Sequence, residues 1–203
     1  MSLSAETTAS DSLPRCPWST SAPELTRYHD AEWGFPVDQD QRLFEKLCLE
    51  SFQSGLSWRT ILNKREAFRA GFAGFEIPAV ARFGDDDVQR LLADAGIVRN
   101  RAKIEACINN AQRAEEIIAQ EGSLATVLWR FEPPAEELAA PQTLTVSPAS
   151  RALAAELKRR GWKFFGPTTA FAFMQSMGML NDHVNHCVLR EPVERARTEF
   201  ARP

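Results

Sequence analysis

The sequence predicts an all-α protein. Apolar residues recur at three- and four-residue steps along most of the chain, and Gly and Pro interrupt these runs where helices are expected to end. No segment shows the strand pattern of alternating apolar and polar residues bounded by hairpin turns. With 203 residues, 44% of them hydrophobic, the chain can bury the core of an ordinary domain.

Local signals place the helix boundaries. Apolar positions predict a helix from Asp40 that Gly55 interrupts, and Ser57 can cap the helix that follows. The next predicted helices begin near residues 86, 104 and 124, and a proline-rich loop follows over residues 132–150. Pro148 then suits the first turn of a helix that runs through Arg160.

The pattern also divides the chain into three regions. Residues 1–14 are rich in Ser, Thr and small residues without periodicity, so we expect a disordered tail. Residues 15–190 are predicted to form a single helical domain, and residues 191–203 a C-terminal tail. We expect no membrane span and no secretory signal, because neither a long apolar stretch nor a basic segment before an apolar block is present. The cytoplasm is the expected location.

Charge and cysteine content narrow the function classes. The formal net charge of -3 argues against a protein that holds nucleic acid by bulk electrostatics alone, although a local basic patch or backbone amides could still grip phosphates. In a cytoplasmic chain the four cysteines are expected to be thiols or metal ligands rather than disulfides.

Two of the three histidines suggest a metal site. His183 and Cys187 are four residues apart, so on a helix they would share one face and reach one tetrahedral metal ion. Cys16 and His29 would complete a Cys2His2 set suited to structural zinc. On spacing alone the alternative stays open that Cys187 is a core thiol and Cys16 incidental, while His186 is a competing ligand that would point elsewhere on a helix.

A second feature is a pair of helices joined by a short turn. The helices are predicted over residues 152–160 and 168–177, and Gly166 and Pro167 form the end of the turn. Amide groups at the start of the second helix would suit a phosphate, and Lys163 adds positive charge. A helical bundle needs such turns for purely structural reasons, so this feature alone does not define DNA binding.

A third feature is a group of aromatic residues around one carboxylate. Tyr28 adjoins His29, and Trp33 and Trp58 flank the segment that contains Glu50. Such residues could form a slot for a flat ligand with amino donors. The alternative is that the tryptophans belong to the core and that Glu50 is a solvated surface charge.

Taken together, the motifs strongly resemble the DNA-3-methyladenine glycosylase I family. The resemblance covers residues 15–187 in the family's order, and it rests on these segments: Arg15-Cys16-Pro17-Trp18, Tyr28-His29-Asp30, Glu32-Trp33-Gly34, Cys48-Leu49-Glu50, Gly55-Leu56-Ser57-Trp58, Ala95-Gly96-Ile97, Lys163-Phe164-Phe165-Gly166 and Asn181-Asp182-His183-Val184. It implies a monomeric helix-hairpin-helix glycosylase in which one zinc ion ties the N- and C-terminal regions together.

The resemblance also implies roles for individual residues. The implied zinc ligands are Cys16, His29, His183 and Cys187. The implied base pocket consists of Tyr28, Glu50 and Trp58, with Trp33 in its wall and Glu50 as the catalytic residue. Gly55 and Leu56 would enter the gap left by the flipped base, and Lys163, Gly166 and Thr168 would contact the DNA.

The implied reaction is hydrolysis of the N-glycosidic bond of 3-methyladenine in double-stranded alkylated DNA. Methylation at N3 leaves the adenine cationic, so the bond is already weak and selection of the flipped base matters most. Relatives with lyase activity carry a lysine two residues after the hairpin glycine. Thr168 stands there, so we expect a monofunctional enzyme that leaves an abasic site.

Three alternatives remain open from the sequence. The first is a zinc-stabilised helix-hairpin-helix DNA-binding protein without catalysis, and the second is a zinc hydrolase, which would need an open coordination position. The third is a glycosylase of this fold that has shifted to another damaged base, because Phe52 is bulkier than the residue expected after Glu50. Asp182 could activate water or could be structural.

Overall fold

The computed structural model describes residues 13–203, and these form eleven α-helices and no strand. The all-α prediction is therefore confirmed for the described part of the chain. The helices are α1 Pro23–Ala31, α2 Asp40–Gln53, α3 Trp58–Asn63, α4 Arg65–Gly71, α5 Ile77–Ala81, α6 Asp85–Ala93, α7 Arg101–Glu121, α8 Leu124–Trp129, α9 Pro148–Arg159, α10 Pro167–Ser176 and α11 Arg190–Glu199.

Helix α2 lies at the centre of the fold and contacts α3, α7, α8 and α10. Its apolar side chains are buried almost completely, with Phe44 and Leu47 at 1% exposure or less. Phe52, near the end of α2, packs in the same core, with its ring centroid 4.7 Å from that of Phe68 and 5.8 Å from that of Phe72. Phe52 therefore does not face a ligand cavity.

Side-chain caps place several helix starts where the sequence predicts them. The Ser57 side chain accepts a hydrogen bond from the amide of Thr60 at the start of α3. At the start of α9, Ser147 and Ser150 form a capping box around Pro148. Helices α9 and α10 pack against each other and are joined by a short turn over residues 160–166.

Four helices were not predicted: α1, α4, α5 and α11. The first three have five to nine residues and lack a side-chain cap at their N-terminus, so local signals for them are weak. Helix α11 is strongly polar, and within it only Val193 and Arg197 are buried. Its position is set by contacts with the rest of the molecule rather than by periodicity.

His183 and Cys187 do not lie on a helix, although the argument from their spacing assumed one. Residues 181–189 form turns and irregular backbone between α10 and α11, and the Cys187 amide donates a hydrogen bond to the carbonyl of Val184. A turn, rather than the face of a helix, brings these two side chains together.

The described parts of both predicted tails contact other parts of the fold. Residues 1–12 of the predicted N-terminal tail lie outside the described residues, while the Pro14 carbonyl accepts a hydrogen bond from the Val188 amide at 2.8 Å. The predicted C-terminal tail, residues 191–203, contains most of α11, and Phe200 packs on Trp129 with ring centroids 4.7 Å apart. Among the described residues, no helix is both long and apolar enough to cross a membrane.

Candidate metal centre and base pocket

Four buried side chains that are distant in sequence converge on one point. The ligand atoms of Cys16, His29, His183 and Cys187 all lie within 4.8 Å of one another. The Sγ of Cys187 lies 3.5 Å from Nε2 of His29 and 3.3 Å from Nδ1 of His183, which in turn lies 3.6 Å from Sγ of Cys16. A tetrahedral zinc ion separates a sulfur and a nitrogen ligand by about 3.5 Å, so the geometry fits such an ion.

Hydrogen bonds to neighbouring groups orient both imidazole rings. The Nδ1 of His29 lies 2.8 Å from Oδ1 of Asp30, and Arg15 donates to that same carboxylate from Nε at 2.9 Å. The Nε2 of His183 lies 3.2 Å from the carbonyl oxygen of Trp33. These partners leave Nε2 of His29 and Nδ1 of His183 facing the cluster, as expected for metal-bound histidines.

The electrostatics of the cluster also suit a divalent cation. Burial, reinforced by nearby His29, lowers the pKa of His183 to about 4, so its ring is neutral and can donate a lone pair. Burial raises the pKa of the Cys16 thiol to about 12. A bound divalent ion would supply the positive charge that stabilises the thiolate, so the donor set fits a metal. The exposed His186 does not belong to the cluster.

A cavity of about 640 Å³ lies beside the cluster and is open to solvent. The four residues expected in the base pocket, Tyr28, Trp33, Glu50 and Trp58, all line it. The ring centroids of Tyr28 and Trp58 are 5.1 Å apart, and the Glu50 side chain is only 6% exposed. Aromatic walls around one buried carboxylate can hold a flat ring that carries amino groups.

Residues that the sequence did not assign to the base pocket also line the cavity. Trp18 packs edge-on against Trp33, with ring centroids 5.1 Å apart, and its position two residues after Cys16 could have indicated it. Thr168 and Phe171 of α10 also line the cavity. Thr168, which the sequence predicts to contact DNA, therefore lies at the cavity.

Asp182 lies outside the cavity, and its carboxylate accepts hydrogen bonds from two neighbouring residues. Its Oδ1 accepts a hydrogen bond from the Gln142 amide at 2.9 Å, and its Oδ2 accepts one from Nε2 of Gln175 at 2.5 Å. Gln142 and Gln175 line the cavity, whereas Asp182 does not. Asp182 thus fixes the loop before α9 against α10 at the cavity rim.

Lys46 is a buried residue that the sequence did not predict to belong to the site. Its Nζ lies 2.9 Å from Oε1 of Glu50, donates to the Tyr28 hydroxyl at 2.7 Å, and lies 3.4 Å from the ring centroid of Trp58. Lys46 and Glu50 are four residues apart on α2, and this spacing is the signal that could have drawn attention to the pair.

The segments expected to meet DNA are exposed. The turn between α2 and α3 carries Gly55, with a positive φ of 81°, and Leu56, whose side chain is 43% exposed. Gln53 and Ser57 on either side of this turn line the cavity, so Leu56 stands near its mouth. Lys163 and Gly166, in the turn before α10, are exposed too.

Within residues 13–203, an all-helical scaffold, an aromatic cavity with a buried carboxylate and an exposed apolar turn beside it fit the class of DNA glycosylases, which bind a flipped base in a pocket. The family model described as methyladenine glycosylase matches residues 18–191. The chain therefore belongs to the methyladenine glycosylase family.

Similar proteins of known name agree with this assignment. The chain is 42% identical to DNA-3-methyladenine glycosylase 1 of Escherichia coli over 179 residues, which cover 86% of this chain and 96% of that protein. It is 39% identical to DNA-3-methyladenine glycosylase of Haemophilus influenzae over 177 residues, which cover 85% of this chain and 96% of that protein. Among solved structures, the chain matches one of 3-methyladenine DNA glycosylase I from Staphylococcus aureus, which describes the structural basis of 3-methyladenine recognition. The TM-score is 0.81 at 36% identity, and the match covers 86% of this chain and 95% of that chain.

Proposed function

We propose that this enzyme hydrolyses the N-glycosidic bond of 3-methyladenine in alkylated double-stranded DNA, the first step of base excision repair. The observation that carries the proposal is the buried carboxylate of Glu50 in a cavity walled by Tyr28, Trp33 and Trp58. The activity in the names of relatives at 39–42% identity, which this chain matches over most of its length, supports the same substrate.

The residues of the cavity suit recognition of the damaged base. A carboxylate oxygen of Glu50 can accept a hydrogen bond from the exocyclic amino group of a flipped adenine. Burial raises the pKa of Tyr28 well above its usual value, so the phenol stays neutral beside that base. Trp58 and Tyr28 offer rings on which the base can stack.

The reaction needs little acid catalysis, because a base methylated at N3 carries a positive charge and leaves as a neutral molecule. The barrier is therefore lowered chiefly by holding the base unstacked and unpaired in the cavity. Thr168, two residues after Gly166, offers no amine, and Lys46 does not line the cavity. The enzyme is thus a monofunctional glycosylase that leaves an intact abasic site, and borohydride should trap no covalent adduct with DNA.

DNA contacts are assigned to two exposed segments. Leu56, which Gly55 presents in the turn between α2 and α3, fills the gap left by the flipped base. The turn that contains Lys163 and Gly166, with the amides at the start of α10, holds a phosphate next to Thr168. These contacts would bind the duplex through local groups, because a chain with a net charge of -3 is not suited to holding DNA by bulk electrostatics.

Cys16, His29, His183 and Cys187 would hold one zinc ion with a structural role. Two thiolates and two imidazoles would complete the ligand set that structural zinc prefers, so the ion would stabilise the fold and leave the hydrolysis to the residues of the cavity. The hydrogen bonds from His29 to Asp30 and from His183 to Trp33 support this role. We expect the enzyme to act as a monomer in the cytoplasm, where its thiols stay reduced.

The test is release of free bases from methylating-agent-treated duplex DNA, resolved by chromatography. Wild-type protein should release 3-methyladenine, and Glu50→Gln should lose most of this activity while keeping its fold. Glu45→Gln is the matched control, because Glu45 is on the same helix but pairs with Arg69 at 2.8 Å and does not line the cavity. A folded, metal-loaded wild type that releases no base would favour the DNA-binding protein without catalysis. Wild-type activity in Glu50→Gln would refute the pocket assignment.

A further inference from the structure

The loop before α9 contributes to the cavity from outside the helices that carry the base pocket. The residues assigned to the base belong to α1, α2 and α3 and to the segment between α1 and α2. Three residues of the loop also line the cavity: Gln142, Leu144 and Thr145. The cavity, of about 640 Å³, is in the size range that holds ligands larger than one purine ring. The loop therefore has room to contact a further part of the substrate.

Hydrogen bonds hold this loop in one conformation where it meets the cavity. Gln142 has a positive φ of 58°, a left-handed conformation that costs free energy in a residue with a Cβ. Its amide donates to Oδ1 of Asp182 at 2.9 Å, and its Nε2 donates to the Asp182 carbonyl at 3.3 Å. The Thr143 hydroxyl donates to the Ala140 carbonyl at 2.6 Å. These bonds maintain the strained residue and so fix the position of Leu144 beside it.

Leu144 presents an apolar side chain at the edge of the cavity. It lines the cavity and yet is 38% exposed. A ligand that covers an exposed apolar group on a preformed loop gains free energy without the cost of ordering that loop. Leu138, earlier in the same loop, is 42% exposed but does not line the cavity. The two leucines thus differ in whether a ligand in the cavity can reach them.

The chemistry of this position points to the sugar of the flipped nucleotide. A flipped base enters the cavity with its deoxyribose behind it, so the sugar lies nearer the mouth than the base does. Deoxyribose has no 2′-hydroxyl and exposes mainly C–H groups, which suit contact with a leucine side chain. A phosphate is bound chiefly by cations and amide donors, and the Leu144 side chain offers neither.

We propose that Leu144 packs against the deoxyribose of the flipped nucleotide and is a specificity-determining residue that favours a base still attached to DNA over the free base. The inference rests on the proposed function of this cavity. The released base loses the contact with Leu144. Leu144 therefore strengthens the binding of substrate DNA without strengthening the binding of the free product.

The experiment uses a stable nucleotide analogue that keeps the sugar ring and lacks the base. The probes are a tetrahydrofuran abasic-site analogue in a duplex, the same analogue in a single strand, and free 3-methyladenine. Binding of the oligonucleotides to the full chain is measured by fluorescence anisotropy, as the ratio of affinity for the analogue to affinity for the unmodified oligonucleotide of the same sequence. Binding of 3-methyladenine is measured by calorimetry.

We expect Leu144→Ala to lower this ratio about fivefold in the duplex and in the single strand, because part of a leucine contact is removed. The affinity for free 3-methyladenine should stay within about twofold and the Tm within ~2 °C of wild type, since the truncated side chain is exposed. Leu144→Met, which keeps an apolar side chain of similar size, should keep the wild-type ratios. Leu138→Ala is the matched control and should change none of these quantities.

Leu56→Ala separates a sugar contact from a residue that fills the gap in the duplex. Because a single strand has no such gap, Leu56→Ala should lower the ratio in the duplex alone. The same pattern in Leu144→Ala would overturn the inference, and so would unchanged ratios. An equal loss of affinity for free 3-methyladenine would place Leu144 in the base pocket and would overturn it too.

Base release by the wild type separates this inference from the proposed function. A wild type that releases 3-methyladenine but does not prefer the tetrahydrofuran analogue, or whose preference survives in Leu144→Ala, refutes only the role of Leu144. A folded wild type that releases no 3-methyladenine and binds the analogue no better than unmodified DNA refutes both.

Discussion

The Sγ of Cys16 and the Nδ1 of His183 lie 3.6 Å apart, although their positions in the chain differ by 167. The cluster they share also supports the wall of the base cavity, because the His183 ring packs edge-on against Trp33 with centroids 4.6 Å apart. Tyr28, another wall residue, directly precedes His29 of the cluster. A metal ion bound there would therefore stabilise both the closure of the chain and the shape of the cavity.

Loss of one ligand should release the metal. We expect Cys187→Ser to lower the zinc content well below one per chain and to lower the Tm by about 10 °C, since a metal ion contributes to stability only when its ligand set is complete. Elemental analysis and thermal unfolding provide the two measurements. Cys48→Ala is the control, because Cys48 lies in the core, 3.1 Å from the sulfur of Cys107, and should cost stability while keeping the metal. Full zinc content in Cys187→Ser would contradict the assignment.

Phe52 should affect stability and not substrate range. Because its ring packs between Phe68 and Phe72 in the core, Phe52→Leu should cost about 1–2 kcal/mol of unfolding free energy. The set of bases released from methylated DNA should stay the same. Phe171→Leu is the comparison, since Phe171 lines the cavity and its truncation should change kcat/KM. A new set of released bases in Phe52→Leu would show that this ring does reach the ligand.

Asp182 should act through the loop that it holds and not as a base that activates water. In Asp182→Asn one of the two bonded groups, the Gln142 amide or the Gln175 side chain, loses its acceptor, at a cost of about 1–3 kcal/mol. We expect KM to rise, because Gln142 and Gln175 border the cavity, and kcat to stay within about threefold. Steady-state kinetics on a methylated duplex would separate the two effects. A fall in kcat of about a hundredfold or more at unchanged KM would identify Asp182 as a catalytic base.

The ion pairs of Glu156 predict a stability effect that depends on pH. Hydrogen bonds from Arg159 and Arg160 hold the pKa of Glu156 at about 2, against 4.5 for the unperturbed group. A carboxyl group with a lowered pKa stabilises the fold fully above about pH 4.5 and loses this effect as the pH falls toward 2.

We expect Glu156→Gln to cost about 1 kcal/mol at neutral pH, because the Arg159 partner is 67% exposed and water screens the pair. The Tm difference from wild type should then be about 2–4 °C at pH 7 and less than half of that near pH 3. Thermal unfolding across this range is the measurement. A difference that grows as the pH falls would contradict the sign of the argument.

The sequence by itself determined the features that depend on residues close together in the chain. The starts of α3 and α9 were predictable because a cap is a hydrogen bond between residues three positions apart, as at Ser57 and Ser147. The four candidate metal ligands were identifiable because histidine and cysteine are scarce, and the family resemblance then related them to one another.

Tertiary structure alone decided which distant groups meet. The Phe52 side chain packs in the core, and Asp182 bonds to the loop before α9. No local sequence pattern distinguishes these orientations from one toward the cavity. His183 and Cys187 converge through a turn, although their spacing also fits a helix. Lys46 reads as an ordinary helix residue until Tyr28, 18 positions earlier, and Trp58 are brought against it. The physical reason is that side-chain direction and burial follow from packing between helices, which local propensity does not encode.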